Sequence, residues 1–144
     1  MPAELTYADS VPELPAADAL AVAAAIDHAL GVEGRPGVLI SVHIADDELL
    51  QSLNRQYRGV DRPTDVLSFL LGEEGEAALG DVVISAERAL AQAERFGHGA
   101  TREFCYLAVH GTLHLLGYDD ADPQGEAAMA AKAEAVLGAL GIAR

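Results

Sequence analysis

Cysteine is almost missing from this 144-residue chain, which has one, Cys105. A lone thiol excludes an internal disulfide framework and a structural zinc site of the two-cysteine, two-histidine kind, and it points to a reducing compartment. Basic residues are scarce as well: nine stand against 23 acidic ones, for a formal charge of −14. Taken alone, that balance argues against a nucleic-acid partner, because phosphate binding needs a positive surface. The N-terminal "MPAELTYADS" has neither a basic start nor an apolar run, so no secretory leader is expected in it. The run "ALAVAAAI" at 19–26 is too short to span a bilayer and lies between Asp18 and Asp27. No internal repeat or long low-complexity linker interrupts the chain. These absences predict one soluble, cytoplasmic domain over residues 1–144, with no membrane partner.

The distribution of charge qualifies the objection to nucleic acid. Arg55, Arg58 and Arg62 fall within eight positions, whereas acids cluster elsewhere, at Asp46, Asp47 and Glu48 and at Glu73, Glu74 and Glu76. A local basic patch on an acidic body is compatible with this pattern, although most of the charges read as a solvated surface.

What is present is the composition of a globular protein, 51% hydrophobic and 22% charged. Alanine enrichment predicts a helix over 16–29, with Gly31 near its end. "GVLISVHIA" (37–45) reads as a buried strand. "DDELLQSLNRQY" begins with acids suited to a helix N-terminus and repeats leucines at helical spacing. "RGVDRP" is a loop, "DVLSFLL" a strand, "GEEGEAALG" an exposed acidic flexible connection, and "GDVVIS" a short strand. Ser85 is suited to cap a helix over 86–96 that Gly97 and Gly99 stop. Thr101 is the expected N-cap of the next helix, to about Leu116, with Gly117 as its stop. Asp122-Pro123 opens a last helix to about Leu140, and residues 4–8 supply one more candidate strand. The alternation predicts strands and helices mixed in one layered domain, an α/β or α+β sandwich with a sheet of about four strands.

The stretch "HGTLHLLGYDD" (110–120) carries the chemistry. His110 and His114 stand about 40° apart around a helix and roughly 6 Å along it, so both imidazoles can reach one ion. Their helix, within "FCYLAVHGTLHLL", is apolar nearly all round and is expected to be buried. Two histidines hydrogen-bonded in the core are the structural alternative. Gly117 lets the chain turn, and Asp120 can then fold back towards the pair. Two histidines, a third N or O ligand and an open fourth position make a catalytic zinc arrangement. Gly111 leaves out a side chain beside the first histidine, which would open space for water or substrate. It also removes the zincin reading that the spacing suggests, since those proteases place their glutamate general base at that position. Cys105, about 140° around the helix from His110, reads as core.

"HGTLHLLGYDD" closely resembles the H-G-x-L-H-L-x-G-Y-D-H signature of the YbeY-type endoribonucleases, or rRNA maturation factors. "LNRQYRGVDRPTDVLSF" (53–69) and "LGDVVIS" (79–85) resemble two further motifs of that family, in the same order, so that the likeness covers about residues 38–120. The resemblance implies an α+β fold, a single-domain αβα sandwich with a mixed sheet of about four strands, together with one zinc per chain and cleavage of single-stranded RNA. It also implies processing of the 3′ end of small-subunit rRNA and ribosome quality control, with rRNA and the small ribosomal subunit as partners and no DNA. Carried over by position, His110 and His114 are metal ligands, His114 also belongs to the catalytic centre, and Arg58 is the active-site arginine. A salt bridge from Arg58 to Asp61 or Asp65 is the structural alternative.

The third ligand falls on Asp120, where the family has histidine, with Asp119 as its competitor. A carboxylate lowers the formal charge of a zinc site from +2 to +1 and makes Fe(II) or Mn(II) more acceptable. That departure gives weight to a second reading, a ribosome-associated assembly or binding factor with a mainly structural metal. A metal hydrolase acting on something other than RNA is a third. Of the remaining candidates, His28 and His43 read as structural. His98 could line the cleft, and Ser68 and Ser85 could bond near the site or cap backbone groups.

Overall fold

A computed structural model describes residues 3–71 and 78–142. Four strands, β1 (Ala3–Tyr7), β2 (Leu39–Ala45), β3 (Val66–Leu70) and β4 (Ala78–Ser85), form one sheet in the order β1-β2-β4-β3. β1, β2 and β4 run parallel, and β3 pairs antiparallel with β4 at the edge. Five helices surround it: α1 (Ala16–Val32), α2 (Asp47–Arg58), α3 (Ala86–Phe96), α4 (Ala100–Leu115) and α5 (Pro123–Ala139). The mixed four-stranded sheet and the layered α+β architecture are those the sequence predicts.

Strand alternation divides the core between two faces. Ile40, Val42, Ile44, Val82 and Ile84 point to one side and pack with buried residues of α1, α4 and α5. Val83 and Leu67 point to the other, where they meet Leu50 of α2. β2 is thus buried on one face only; Ser41 and His43 are half-covered, because α2 covers that side in part.

Local signals place most boundaries. Asp46 accepts from the Leu49 amide at 2.9 Å and caps α2; Ser85 accepts from Arg88 and caps α3; Asp122 accepts from Gly125 and caps α5, with Pro123 just inside. Other boundaries differ from expectation. α1 runs through Gly31 to Val32. β4 begins at Ala78, inside the stretch read as a flexible connection, whose residues 72–77 lie outside the described ones. The N-cap of α4 is Gly99, not Thr101. Thr101 already lies in the first turn, where its hydroxyl donates to Asp18 of α1 at 2.5 Å.

Helix α4 is enclosed, with eleven buried residues along its sixteen. Phe104, Leu107, Val109 and Leu113 supply the apolar drive, each worth about 1.5–3 kcal/mol when fully buried. Cys105 is core as read, and burial pushes its thiol up to about 12. Gly111 marks the closest approach of this helix to the sheet. A Cβ there would lie 2.6 Å from Val82 Cγ1 and 3.0 Å from Ser68 Oγ. The missing side chain therefore admits the sheet, rather than the water or substrate expected from the sequence. Ser68 Oγ, on β3, donates to the Gly111 carbonyl at 2.8 Å and fixes the contact.

Gly111→Ala tests this packing. Alanine improves helix propensity by about 1 kcal/mol, whereas overpacking against a stiff valine costs about 1–3. The expected outcome is a net loss measured by chemical denaturation, and a larger one for Gly111→Val.

Candidate metal centre

His110 and His114 sit one turn apart on α4, and the chain turns back immediately after it. Gly117 takes φ +104°, a value costly for residues with a Cβ, and Tyr118 and Asp120 return beside the histidines. Tyr118 N donates to the Leu113 carbonyl at 3.1 Å, which closes the turn. The Tyr118 carbonyl in turn lies 3.0 Å from His114 Nδ1. A carbonyl only accepts, so Nδ1 carries a proton, and in that tautomer of the neutral imidazole the lone pair is on Nε2.

That lone pair faces two others. His114 Nε2 lies 3.2 Å from His110 Nε2 and 3.4 Å from Asp120 Oδ2, and the third side of the triangle, His110 Nε2 to Asp120 Oδ2, measures 3.1 Å. One face of a tetrahedron around an ion with bonds of roughly 2.0–2.1 Å has edges of about 3.3–3.4 Å. The three atoms match that face to within a few tenths of an ångström, so the cluster could hold a metal ion.

His110 supports the same chemistry. Burial, and next the nearby His114, hold its imidazole below the ordinary histidine pKa, against the opposing pull of Asp120 and Asp65, which favours the neutral form that binds metals. Its Nδ1 is buried with no hydrogen-bond partner among the described residues.

The cluster forms one wall of a cleft of about 440 Å³. Asp65, Thr64 and Ser68 face it from the loop before β3 and from β3 itself, and Arg58 reaches it from the end of α2. Among the described residues, no ion pair includes Arg58. The alternative bridges to Asp61 and Asp65 do not form; Asp61 accepts from Gln51 at 3.0 Å and Asp65 from Gln92 at 3.2 Å. Buried Asn54 holds the intervening loop by donating to the Arg62 carbonyl at 3.0 Å.

A family model described as Endoribonuclease YbeY matches residues 12–141. The chain belongs to the endoribonuclease YbeY family. Proteins named Endoribonuclease YbeY from Geobacillus thermodenitrificans (strain NG80-2) and Lysinibacillus sphaericus (strain C3-41) are each 41% identical to it, over 100% and 97% of both chains respectively. One from Desulfitobacterium hafniense (strain Y51) is 50% identical over 73% of each chain. The fold is similar to the solution structure of a Thermotoga maritima protein, with a TM-score of 0.63 at 24% identity, covering 96% of this chain and 91% of that one.

Within this member of the YbeY family, the structure brings together His110, His114, Asp120 and Arg58, all four expected from the sequence. Asp119 also faces the cleft, but its Oδ1 accepts from the Ala121 amide at 2.9 Å, and it is not one of the clustered ligands. Ser68 lies in the cleft, whereas Ser85 caps α3 and donates to Asp47 at 2.6 Å. His98 does not line this cleft; it bonds Glu103 at 2.6 Å beside a different cavity. His43 pairs with Thr6 on the far side of the sheet, and His28 lies on α1, both away from the centre.

Sequence reasoning missed Thr64 and Asp65, and it missed what holds the returning loop. The Tyr118 hydroxyl donates to Glu33, just past α1, and Lys132 of α5 reaches both Glu33 (3.2 Å) and the Tyr118 ring (5.1 Å to the centroid). Tyr118 is therefore tied to two distant helices while its carbonyl orients His114. The hydrogen bond from Tyr118, followed by Lys132, holds the Glu33 carboxyl below its usual range. Stabilisation from a lowered carboxylate is complete above its unfolded value and fades as pH falls through the folded one. Tyr118→Phe should therefore cost about 1 kcal/mol at neutral pH. Denaturation curves of the variant and the wild type should converge in acid.

Proposed function

We propose that this chain is a metal-dependent endoribonuclease with one zinc per molecule, held by His110, His114 and Asp120. It cleaves single-stranded RNA during maturation of small-subunit rRNA, in the cytoplasm and in association with the small ribosomal subunit. The observation that carries the reading is the triangle of three ligand atoms with edges of 3.1–3.4 Å, open on the side of a cleft that Arg58 also lines. Membership of a family described as endoribonucleases supports the RNA substrate.

Charge supports the need for a cation. Asp65, Asp119 and Asp120 face the cleft against the single guanidinium of Arg58. A phosphodiester would be repelled by that set until a divalent ion offset it. When bound, zinc supplies Lewis-acid polarisation of an oxygen and lowers the pKa of a coordinated water. The protein's own groups do the rest. The Tyr118 carbonyl fixes the tautomer of His114, Arg58 stabilises charge growing on the phosphate oxygens, and the Gly111 contact keeps the helix close to β3 and β4. Asp120 contributes a negative charge that a third histidine would not, so water at this centre should be less acidic than at a three-histidine one. Fe(II) or Mn(II) is accommodated by the same donor set.

Metal analysis and cleavage of a single-stranded RNA test this together. His114→Ala should lose stoichiometric metal and activity, and Arg58→Ala should keep the metal while cleavage falls by roughly 10²-fold or more. Unchanged cleavage in both variants would sink the catalytic assignment. Asp120→His should tighten zinc binding; an unaltered affinity would mean that Asp120 is not a ligand.

A further inference from the structure

A second cavity, of about 490 Å³, opens beside the metal cleft between α3, α4 and α5. Asp65 lines both spaces. Tyr106, in the wall of the second, lies one helical turn before His110; their rings are nearly parallel (20°) with centroids 6.2 Å apart. A molecule in this cavity would be one aromatic ring away from the proposed centre.

The lining selects against phosphate. Arg102, the guanidinium in the wall, is buried, donates to the Ile142 carbonyl at 3.1 Å and pairs with Glu134, and His98 bonds Glu103 through Nε2. Their remaining nitrogens, Arg102 Nε and His98 Nδ1, have no partner among the described residues but are buried out of reach of the space. What faces the space instead is a set of hydrogen-bond acceptors. Gln92 donates to Oδ2 of Asp65 and Arg102 to Oε1 of Glu134, so each carboxylate has a second oxygen for a visitor. The rest of the wall is apolar or aromatic, with Phe96 56% exposed. The Arg95 guanidinium stands 5.8 Å from the Phe96 ring centroid, on the exposed end of α3.

We propose that this cavity is a nucleobase subsite. It takes one base of a single-stranded RNA lying across the metal cleft and favours adenine, cytosine or guanine over uracil. The inference rests on the nuclease reading above. Bases of single strands splay out, stack on aromatic rings and are read by their edges. Phe96 supplies the ring, and Arg95 a cation for the flanking backbone phosphate. An exocyclic amino group can donate to Asp65 or Glu134, whereas the carbonyls of uracil would set acceptor against carboxylate. A space of this size lies within the roughly 300–1,000 Å³ usual for small-ligand pockets.

The test uses single-stranded RNAs that differ only at nucleotides flanking the cleavage position, with KM and kcat measured separately. The wild type should show a lower KM for amino-bearing bases. Phe96→Ala should raise KM roughly five- to 100-fold for every base, the range expected for loss of one stacking contact, with kcat little changed. Ala130→Trp, which fills the cavity from α5, should do the same, and Glu134→Gln should narrow the discrimination against uracil. Base-independent KM values, or unchanged KM in both Phe96→Ala and Ala130→Trp, would overturn the subsite while leaving the nuclease reading intact. If no RNA is cut, the nuclease reading fails. Fluorescence titration of labelled oligocytidylate against oligouridylate then decides the subsite by itself, since equal affinities in wild type and Phe96→Ala reject it.

Discussion

Helix α4 runs between the sheet and the helices α1, α3 and α5, and the contact at Gly111 sets how deeply it lies. Everything in the metal centre follows from that depth. Ser68 can reach the Gly111 carbonyl only because no Cβ intervenes, and the same closeness puts β3 and the loop before it opposite the two histidines. The antiparallel course of β3 matters here as well. Val66 pairs with Ile84 near the C-terminal end of β4, so Thr64 and Asp65 enter at the end of the sheet where α2 delivers Arg58.

The cleft is also where the acidic character of the chain turns from an objection into a condition. A net charge of −14 disfavours RNA at most of the surface, and the cleft itself carries more carboxylates than cations. A divalent ion bound there would offset the excess negative charge of Asp65, Asp119 and Asp120 over Arg58 without changing the rest. Arg55 and Arg58 lie in the last turn of α2, where they complement the negative end of the helix dipole, and Arg58 brings positive charge to the cleft.

Most of the elements were legible because their signals are local. Short, β-branched and mostly apolar runs marked the strands, helical leucine spacing marked α2, and Ser85 and Asp122 capped the helices they precede. The clustering of the three candidate ligands was legible because His110 and His114 share a helical face and Gly117 permits the return of Asp120. What could not be read depends on partners distant in sequence. Thr101 looked like a cap, but its hydroxyl goes to Asp18, 83 residues away. His98 could line the cleft by its proximity in sequence, yet the start of α4 directs it to Glu103 beside another cavity. Gly111 resembled a gap beside a ligand until β4 was seen to fill it. Tyr118 gave no sign of its tie to Glu33 and Lys132, because pattern along the chain does not reveal which helices meet.

The tether of Tyr118 has a thermodynamic consequence. The ligand set spans α4 and the loop that follows, and that loop is pinned to the end of α1 and to α5. Segments from near both ends of the chain are thus gathered around one triangle of donor atoms. An ion bound only to the native arrangement would stabilise all of them at once, by about 2.7 kcal/mol when free ion exceeds its dissociation constant a hundredfold. Loosening of the terminal helices and release of the ion would then be one event viewed from two sides. The centre would act as a fastening for the fold as well as a place of reaction.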